Sequence, residues 1–254
     1  MIRKKDNWYK DGWTLAVKDQ SWTEDTKKQV DFLIDVMDLT GKERILDLAC
    51  GFGRHSLELA RRGFEVVGID ITKAYVEDAT KQAEQENLPT QFIRSDIRDV
   101  HFESEFDVVL NMADGAIGYL ENDEENLKIF DVIAKALRPG GKHVMDIMSA
   151  DYADTHFPCK LWDAGKNGIT LSMFEWNQES NIMLYGQNDF AYGDTLIPPS
   201  FDSGDPIRLY HREEIDQIME ARNMSVKQVF SNFTGDPGND NEIQMVVYSE
   251  KRKQ

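Results

Sequence analysis

Two aspartates and a glycine turn form the pattern in this sequence with the clearest chemical meaning. Residues 45–60, ILDLACGFGRHSLELA, predict a buried strand, a tight turn at Gly51 and Gly53, and the start of a helix. Glycine lets the backbone approach a ligand where a Cβ would clash, and free N–H groups at a helix start favour an anionic or polar group. Asp70 stands 19 positions after Gly51, at the end of the next apolar run. An open α/β sheet offers a carboxylate to ribose hydroxyls at that place, so the pattern indicates a ligand that contains a ribose.

A nicotinamide dinucleotide would be bound by the same logic, so the turn alone leaves two kinds of ligand open. Three details separate them. Ser56 stands where the third glycine of a dinucleotide fingerprint is expected. Asp47 lies at the end of the first strand, where a pyrophosphate would be repelled, and a further acid, Asp96, follows the third strand in FIRSDIRDV. Together they favour a ligand other than a dinucleotide.

The elements that must position these side chains alternate regularly. Between residues 44 and 148, strand-like and helix-like segments follow one another, which predicts a parallel sheet with helices on both faces. Burial on both faces explains continuous apolar strands such as VVGI and FDVVL. After Ser149 the pattern changes, and two β-like runs at 169–176 and 182–192, joined by a polar turn, predict an antiparallel hairpin. A helix and two strands complete the chain.

Composition limits the possible partners. The 254 residues contain 29 Lys and Arg against 46 Asp and Glu, a formal net charge of −17. An acidic chain repels phosphate backbones and gains nothing from counterion release, so we expect no nucleic-acid partner. The two cysteines, Cys50 and Cys159, form neither a CxxC pair nor a zinc spacing, and we expect no metal. No apolar stretch approaches a signal peptide or membrane span, so we expect a cytoplasmic protein with no membrane partner.

As a set, the motifs resemble those of the class I S-adenosylmethionine-dependent methyltransferases. ILDLACGFG is similar to their first motif, VVGIDIT to the second, RSDIRD to the third, FDVVLNM to the fourth strand, and LRPGGKHVMDI to the segment entering the fifth. The resemblance covers about residues 40–150. It implies a doubly wound, Rossmann-like α/β fold with a seven-stranded, mostly parallel sheet and an antiparallel last strand. A β-rich cap insertion is expected after the fifth strand.

The predicted organisation has four parts. They are an N-terminal arm and helix at 1–40, an S-adenosylmethionine-binding core at 41–150, the cap at 151–207, and the C-terminal part of the Rossmann-like domain at 208–254.

The resemblance implies S-adenosylmethionine as the cofactor and assigns roles to particular residues. Asp70 would accept hydrogen bonds from the ribose hydroxyls, and Asp96 would lie beside the adenine amino group. Asp47 and the backbone near Asn111 would meet the ammonium, and Arg54 would meet the carboxylate unless it is an ordinary solvated helix residue. The expected cofactor-binding set is Asp47, Cys50, Gly51, Gly53, Arg54, Asp70, Ile71, Asp96, Ile97, Asn111 and Met112.

Two candidate catalytic residues, Tyr119 and His211, are expected on the rim where an acceptor would sit. His211 would act as a base or would only flank a helix cap. The aromatic residues Trp8, Tyr9 and Trp13 would fold over the cofactor or would fasten the arm to the domain.

The leading functional hypothesis is methyl transfer to a small-molecule acceptor by in-line displacement, in which alignment and desolvation supply most of the catalysis. The sequence LNMADG replaces the Asn/Asp-Pro-Pro-Tyr motif, which argues against a planar amide or an exocyclic amine as acceptor. The alternatives are an RNA or protein methyltransferase, and a non-catalytic protein that binds S-adenosylmethionine.

Overall fold

The computed structural model describes residues 1–3, 7–10, 12–196 and 202–253. The strands are β1 Ile2–Arg3, β2 Arg44–Leu48, β3 Glu65–Asp70, β4 Thr90–Arg94, β5 Phe106–Asn111, β6 Leu137–Met148, β7 Cys159–Ala164, β8 Gly168–Asn177, β9 Ile182–Ala191, β10 Ser203–Arg208, β11 Met224–Phe230 and β12 Gln244–Lys251. The α-helices are α1 Thr26–Val36, α2 Arg54–Arg61, α3 Lys73–Glu86, α4 Asp123–Ala136, α5 Ala150–His156 and α6 Arg212–Glu220. Short 3-10 turns lie at Trp8–Lys10, Leu15–Asp19, Ser21–Thr23 and Ile97–Asp99.

Seven strands form the central sheet in the order β11-β12-β6-β5-β2-β3-β4. All neighbours are parallel except that β12 runs antiparallel to both β6 and β11. This confirms the predicted doubly wound, Rossmann-like sheet with its antiparallel last strand. The chain leaves β2 toward β3 on one side, and β5 lies on the other side. A crevice therefore opens at the carboxyl ends of β2 and β5, where such sheets bind ligands.

Apolar side chains fill both faces of this sheet. On one face α1 and α2 contribute Val30, Leu33 and Leu59, all fully buried. On the other face α4 and α6 contribute Phe130 and Ile215. Burial on both faces is the reason that the strands are continuous apolar runs.

A second sheet forms the β-rich cap, with the strand order β1-β10-β9-β8-β7. The predicted hairpin is confirmed as β8 and β9, which pair from Gly168↔Ala191 to Asn177↔Ile182. Three elements were not predicted from the sequence: β7, β10 and α5. The side chains of β7 are mostly exposed and show no alternation, and β10 contains Gly204 and Pro206, which are unfavourable in strands.

The N-terminal arm crosses between the two sheets. Its first strand pairs with β10 in the cap sheet. The indole of Trp8 donates to the Pro206 carbonyl at 3.2 Å, and the hydroxyl of Tyr75 on α3 donates to the Thr14 carbonyl at 3.0 Å. These contacts hold the arm across the carboxyl edge of the central sheet. Within the described ranges, no helix is long and apolar enough to cross a membrane.

Candidate active site

A cavity lies at the carboxyl ends of β2, β3 and β5, beneath the N-terminal arm. It comprises about 940 Å³ of space between the atoms, including its open mouth. Ten residues of the predicted site lie on its wall: Asp47, Cys50, Gly51, Arg54, Asp70, Ile71, Asp96, Ile97, Met112 and Tyr119. Arm residues Tyr9, Trp13, Val17 and Trp22 also contribute to the lining. The structure therefore brings together most of the residues that were predicted from separate strands.

Asp70 holds the glycine turn against the end of β3. Its Oδ2 accepts from the Gly51 amide at 2.8 Å, and its Oδ1 accepts from the Thr72 amide at 2.7 Å. Burial nevertheless raises the pKa of this carboxyl. A carboxylate offers about four acceptor positions, so Asp70 keeps capacity for two hydroxyl donors from a ligand.

Gly51 and Gly53 differ in what they make possible. Both have positive φ, at 58° and 77°. A Cβ on Gly51 would meet no heavy atom within 4 Å, which leaves the cavity open at that point. A Cβ on Gly53 would lie 2.8 Å from the Phe92 ring and 3.0 Å from Ala79. Gly53 therefore permits close packing of α2 against its neighbours, and it does not lie on the cavity wall as predicted.

Asp47 is a buried carboxylate with one unused oxygen. Its side chain is 1% exposed, and its Oδ2 accepts from the Ser56 hydroxyl at 2.5 Å. No described group hydrogen-bonds its Oδ1. Burial raises the pKa of Asp47 to about 7, although the Ser56 bond and the Arg54 charge act in the opposite direction. Ser56, which replaces the third glycine of a dinucleotide fingerprint, thus holds an acid that can receive a cationic donor.

Arg54 places a guanidinium on the same wall. Its Nη1 donates to Thr26 Oγ1 at 3.0 Å and to Gln29 Oε1 at 2.5 Å, and the group stacks on the Trp22 ring at 5.2 Å. None of the ion pairs among the described residues includes Arg54. Burial lowers its pKa to about 10, and the charges of Asp146 and Asp47 oppose that shift. A desolvated cation of this kind suits a ligand carboxylate.

Asp96 is fixed by an arginine that the sequence analysis did not identify. Arg98 donates to Asp96 through its amide and Nε, both at 3.0 Å, and through Nη2 at 2.6 Å. Although burial acts to raise it, these bonds hold the pKa of Asp96 below its ordinary value. Arg98 also pairs with Glu121 at 3.0 Å and Glu125 at 2.5 Å. A basic residue two positions after Asp96, in RSDIRD, was the available sequence signal.

Tyr119 bonds to one acid, Asp114, at the inner end of the cavity, and a second acid, Asp146, lies close to Asp114. Its hydroxyl donates to Asp114 Oδ2 at 2.8 Å, and burial raises the pKa of Asp114 to about 6. Asp146, on β6, accepts from Gln244 Nε2 at 2.8 Å, and burial followed by the Asp114 charge raises its pKa to about 7. Asp146 was not among the predicted site residues, although a carboxylate inside the apolar run HVMDIM was an available signal.

Aromatic rings enclose the phenol of Tyr119. The Trp13 ring stacks on it with centroids 6.3 Å apart, and the Trp8 ring lies 5.0 Å away. Of the two expectations for the arm aromatics, folding over the cavity therefore describes Tyr9 and Trp13. The lining from the described residues includes none of the cap strands, so the arm covers the cavity.

Besides Gly53, two predicted residues are not brought to the cavity. Asn111 is fully buried under the following loop, where its Nδ2 donates to the Gly115 carbonyl at 3.1 Å. His211 directly precedes α6, and its Nδ1 lies 2.7 Å from Asp151 Oδ1. Its amide donates to Glu214 Oε2 at 2.9 Å. These contacts are those of a residue that flanks a helix start, the second of the two roles considered for His211.

Comparison with known proteins agrees with this geometry. The family model described as a methyltransferase domain matches residues 45–141. The chain is 32% identical to the cypemycin N-terminal methyltransferase of a Streptomyces species over 215 residues, which are 82% of this chain and 83% of the relative. An S-adenosylmethionine-dependent methyltransferase from Clostridium acetobutylicum ATCC 824 superposes with a TM-score of 0.73 at 17% identity, covering 90% of this chain and 92% of the other. The CcbJ methyltransferase from Streptomyces caelestis gives 0.72 at 15% identity, covering 90% of each chain.

The chain therefore belongs to the class I S-adenosylmethionine-dependent methyltransferases. It is an enzyme whose cofactor is S-adenosylmethionine.

Proposed function

We propose that this enzyme transfers the methyl group of S-adenosylmethionine to a small-molecule acceptor. The observation that carries the proposal is the roof of the cavity. Tyr9, Trp13, Val17 and Trp22 lie over the strand ends, and the wall continues beneath them to Tyr119. An acceptor that reaches Tyr119 must enter beneath this arm, which favours a small molecule over a folded RNA or protein surface.

The wall residues fit the parts of the cofactor. Asp70 would accept from the ribose hydroxyls, and Asp96 from the adenine amino group. The unused Oδ1 of Asp47 would accept from the ammonium, and Arg54, which has no ion-pair partner among the described residues, would bind the carboxylate. When bound, S-adenosylmethionine supplies an electrophilic methyl group on a sulfonium.

The chain's own residues align the acceptor and exclude water. Arm side chains cover the site, and the inner wall presents Met112, Ala113, Ala116 and the Tyr119 ring. Burial, followed by the Asp114 charge, raises the pKa of Tyr119 well above its ordinary value, so the phenol stays neutral and keeps its hydrogen bond to Asp114. Holding the reacting groups in line in a desolvated site supplies most of the rate acceleration in such a displacement.

The charge of the chain supports the same acceptor class. A net charge of −17 opposes the binding of a phosphate backbone, so we infer that nucleic acid is not the acceptor.

A second candidate acceptor is the amino terminus of a peptide. Its support is the 32% identity to an enzyme whose name describes methylation at the N-terminus of cypemycin. An extended peptide end can enter a narrow cavity more easily than a folded surface can.

Partition of a methyl label tests the proposal. The enzyme and methyl-tritiated S-adenosylmethionine are incubated separately with a small-molecule extract, total RNA and total protein from the same cells. Asp47→Ala, which is expected to lose the cofactor, serves as the inactive control. We expect enzyme-dependent label in the small-molecule extract. Label in peptides alone would establish the second candidate, and label in RNA would contradict both.

A further inference from the structure

The charges around the cavity do not balance. Asp47, Asp70, Asp114 and Asp146 are buried or largely desolvated, and none of them belongs to an ion pair among the described residues. Arg54 is the cation whose charge acts on two of them, Asp47 and Asp146. Four carboxylates and one guanidinium leave three negative charges when all are ionised. Buried charges are normally paired, so a ligand is expected to supply positive charge.

The cofactor supplies only part of that charge. Its ammonium and sulfonium are positive and its carboxylate is negative, which gives one net positive charge. Asp47, with its unpartnered and buried Oδ1, accounts for the ammonium. Asp114 is bonded to Tyr119 on the cavity wall, and its amide is bonded to the Asp146 carbonyl, so the remaining negative charge lies beside the Tyr119 phenol, where we place the acceptor.

The inner end also has the geometry to receive a cation. Tyr119 lies on the wall, and its hydroxyl donates a hydrogen bond to Asp114. The lone pairs of its oxygen can therefore accept a hydrogen bond from a ligand. The rings of Trp8 and Trp13 flank it, and aromatic faces attract ammonium groups. The loop that carries Asp114 is fixed to β6, since the Asp114 amide donates to the Asp146 carbonyl at 2.7 Å.

We propose that the acceptor is a small basic amine that binds as its ammonium ion against Tyr119 and passes a proton through this phenol to Asp114. This inference rests on the proposed function and names the acceptor class for the same site. It assigns Asp114 as the proton acceptor and Tyr119 as the group that touches the substrate.

The proton transfer and the methyl transfer balance. An ammonium N–H donates to the Tyr119 oxygen while the Tyr119 hydroxyl donates to Asp114 Oδ2, so a shift along both hydrogen bonds leaves a neutral amine and a protonated carboxyl. The amine lone pair then forms a bond to the methyl carbon, the carbon–sulfur bond breaks, and its electron pair stays on sulfur. The positive charge moves from sulfur to nitrogen. Asp114 returns its proton to solvent when the methylammonium product leaves.

The electrostatics of the site bring the pKa of the Asp114 carboxyl and that of the substrate ammonium closer together. Burial raises the pKa of Asp114 to about 6, so it accepts a proton more readily than an ordinary carboxylate. A neighbouring sulfonium lowers the pKa of an ammonium group, because like charges disfavour each other.

A pair of nearly isosteric probes tests the inference without relying on turnover. Calorimetry measures the binding of benzylamine and of benzyl alcohol to the protein saturated with S-adenosylhomocysteine, at pH 7.5. For the wild type we expect benzylamine to bind at least tenfold more tightly than the alcohol. Asp114→Asn should bring the two affinities close together, and asparagine tolerates the positive φ of 66° at this position. Tyr119→Phe should reduce the preference, because it removes the accepting oxygen.

Tyr248→Phe is the matched control. It also removes a phenol that donates to a carboxylate, Glu250, but it lies on β12 outside the cavity wall. This variant should keep the full preference for benzylamine. Equal binding of the two probes to the wild type, or an undiminished preference in Asp114→Asn, would overturn the amine assignment.

The label experiment separates failure of this inference from failure of the proposed function. Labelled small molecules that a cation exchanger retains at neutral pH, and that survive base, support the amine. Labelled neutral ethers or esters would overturn the amine and leave a small-molecule acceptor in place. Label in peptides alone, together with a preference for benzylamine, would contradict a small-molecule acceptor. It would still support an amine as the methylated group.

Discussion

The two ends of the cavity hold their carboxylates in different ways. At the outer end, Asp70 receives two backbone amides, and Asp96 receives an amide and a two-pronged guanidinium. At the inner end, Asp47 has one hydroxyl donor, and Asp114 has the Tyr119 phenol and the Met148 amide. Burial raises the pKa values of these two acids to about 7 and about 6, and it also raises that of Asp70. The outer end is thus satisfied by the protein itself, whereas the inner end is electrostatically incomplete without its ligands.

This difference separates two tasks. Groups that are already hydrogen-bonded hold their position and recognise neutral parts of a ligand, such as hydroxyls. Buried acids with few partners raise the free energy of the unliganded protein, and they favour any ligand that brings positive charge. The hydrogen-bonded acids of the outer end stabilise the fold, and the poorly partnered acids of the inner end favour the binding of a cationic ligand. Substitutions at the two ends should therefore affect stability and affinity in different proportions.

The largest effect is expected from Asp47→Ala at the inner end. The cofactor ammonium would lose its buried partner, so the affinity for S-adenosylhomocysteine should fall by about 2–5 kcal/mol in calorimetry. The free energy of unfolding of the unliganded protein should stay equal or rise at pH 8, because a costly buried charge is removed. Asp131→Ala, which removes a carboxylate bonded to Arg222 far from the cavity, should change neither the affinity nor its pH dependence. Unchanged affinity in Asp47→Ala would show that the ammonium binds elsewhere.

Asp70→Ala should lower both quantities. The ribose hydroxyls would lose a charged acceptor, which costs about 1.5–3 kcal/mol of affinity for S-adenosylhomocysteine. The amides of Gly51 and Thr72 would also lose their acceptor, so urea denaturation should give a reduced free energy of unfolding. A loss of affinity with full stability would contradict the contrast between the two ends.

The pH dependence of stability in Asp146→Asn measures how much a buried acid near the inner end destabilises the folded protein when it is ionised. Burial raises the pKa of Asp146 to about 7, whereas an unfolded aspartate titrates near 3.9. Between these values the folded wild type binds more protons than the unfolded chain, so the contribution of this group to stability declines as pH rises. The variant should therefore become more stable relative to the wild type as pH rises from 4 to 8. The two pKa values set a ceiling of about 4 kcal/mol, and relaxation of the buried site around the charge reduces the expected change to about 1–2 kcal/mol.

Buried histidines do not disturb this measurement. Burial lowers the pKa values of His55 and His143, so both make the wild type more stable as pH rises at acidic pH. Their effect is common to both proteins and cancels in the difference. A difference in stability that is constant across this range would show that Asp146 is not destabilised as a charge.

Local patterns predicted the central sheet and much of the cavity wall. Asp70 and Gly51 belong to one strand–turn–helix unit and the strand after it, so their spacing in the sequence already places them together. Asp47 was found in the same way, because it ends the strand that enters the turn.

The parts that escaped prediction depend on contacts between distant segments. Asp146 meets Asp114 only because β5 and β6 are neighbours, and that order is a property of the folded sheet. The arm covers the cavity because Trp8 bonds to Pro206, 198 positions away. His211 was expected on the rim, and only the fold shows that its ring is held by Asp151 instead. None of these contacts has a periodic signal within its own segment.

Arg98→Ala should produce the smallest effect and tests how far the outer end is preorganised. Arg98 orients Asp96 and also lies 3.4 Å from the Tyr9 hydroxyl on the arm, so it joins the predicted adenine contact to the roof. Since the Asp96 carboxylate remains, we expect a loss of only about 1 kcal/mol in affinity for S-adenosylhomocysteine. Arg252→Ala, which removes an exposed partner of Glu220, is the matched control and should bind normally.

A double-mutant cycle decides how Arg98 acts. If it works only by positioning Asp96, Arg98→Ala should have no further effect in an Asp96→Ala background, because contacting groups are not additive. If its contact with Tyr9 also holds the N-terminal arm over the cavity, part of the loss in affinity should remain in that background. Tyr9→Phe should then reproduce this remaining loss. Full additivity of Arg98→Ala and Asp96→Ala would mean that the two side chains serve the cofactor independently, and the outer end would then not be the preformed unit that its hydrogen bonds indicate.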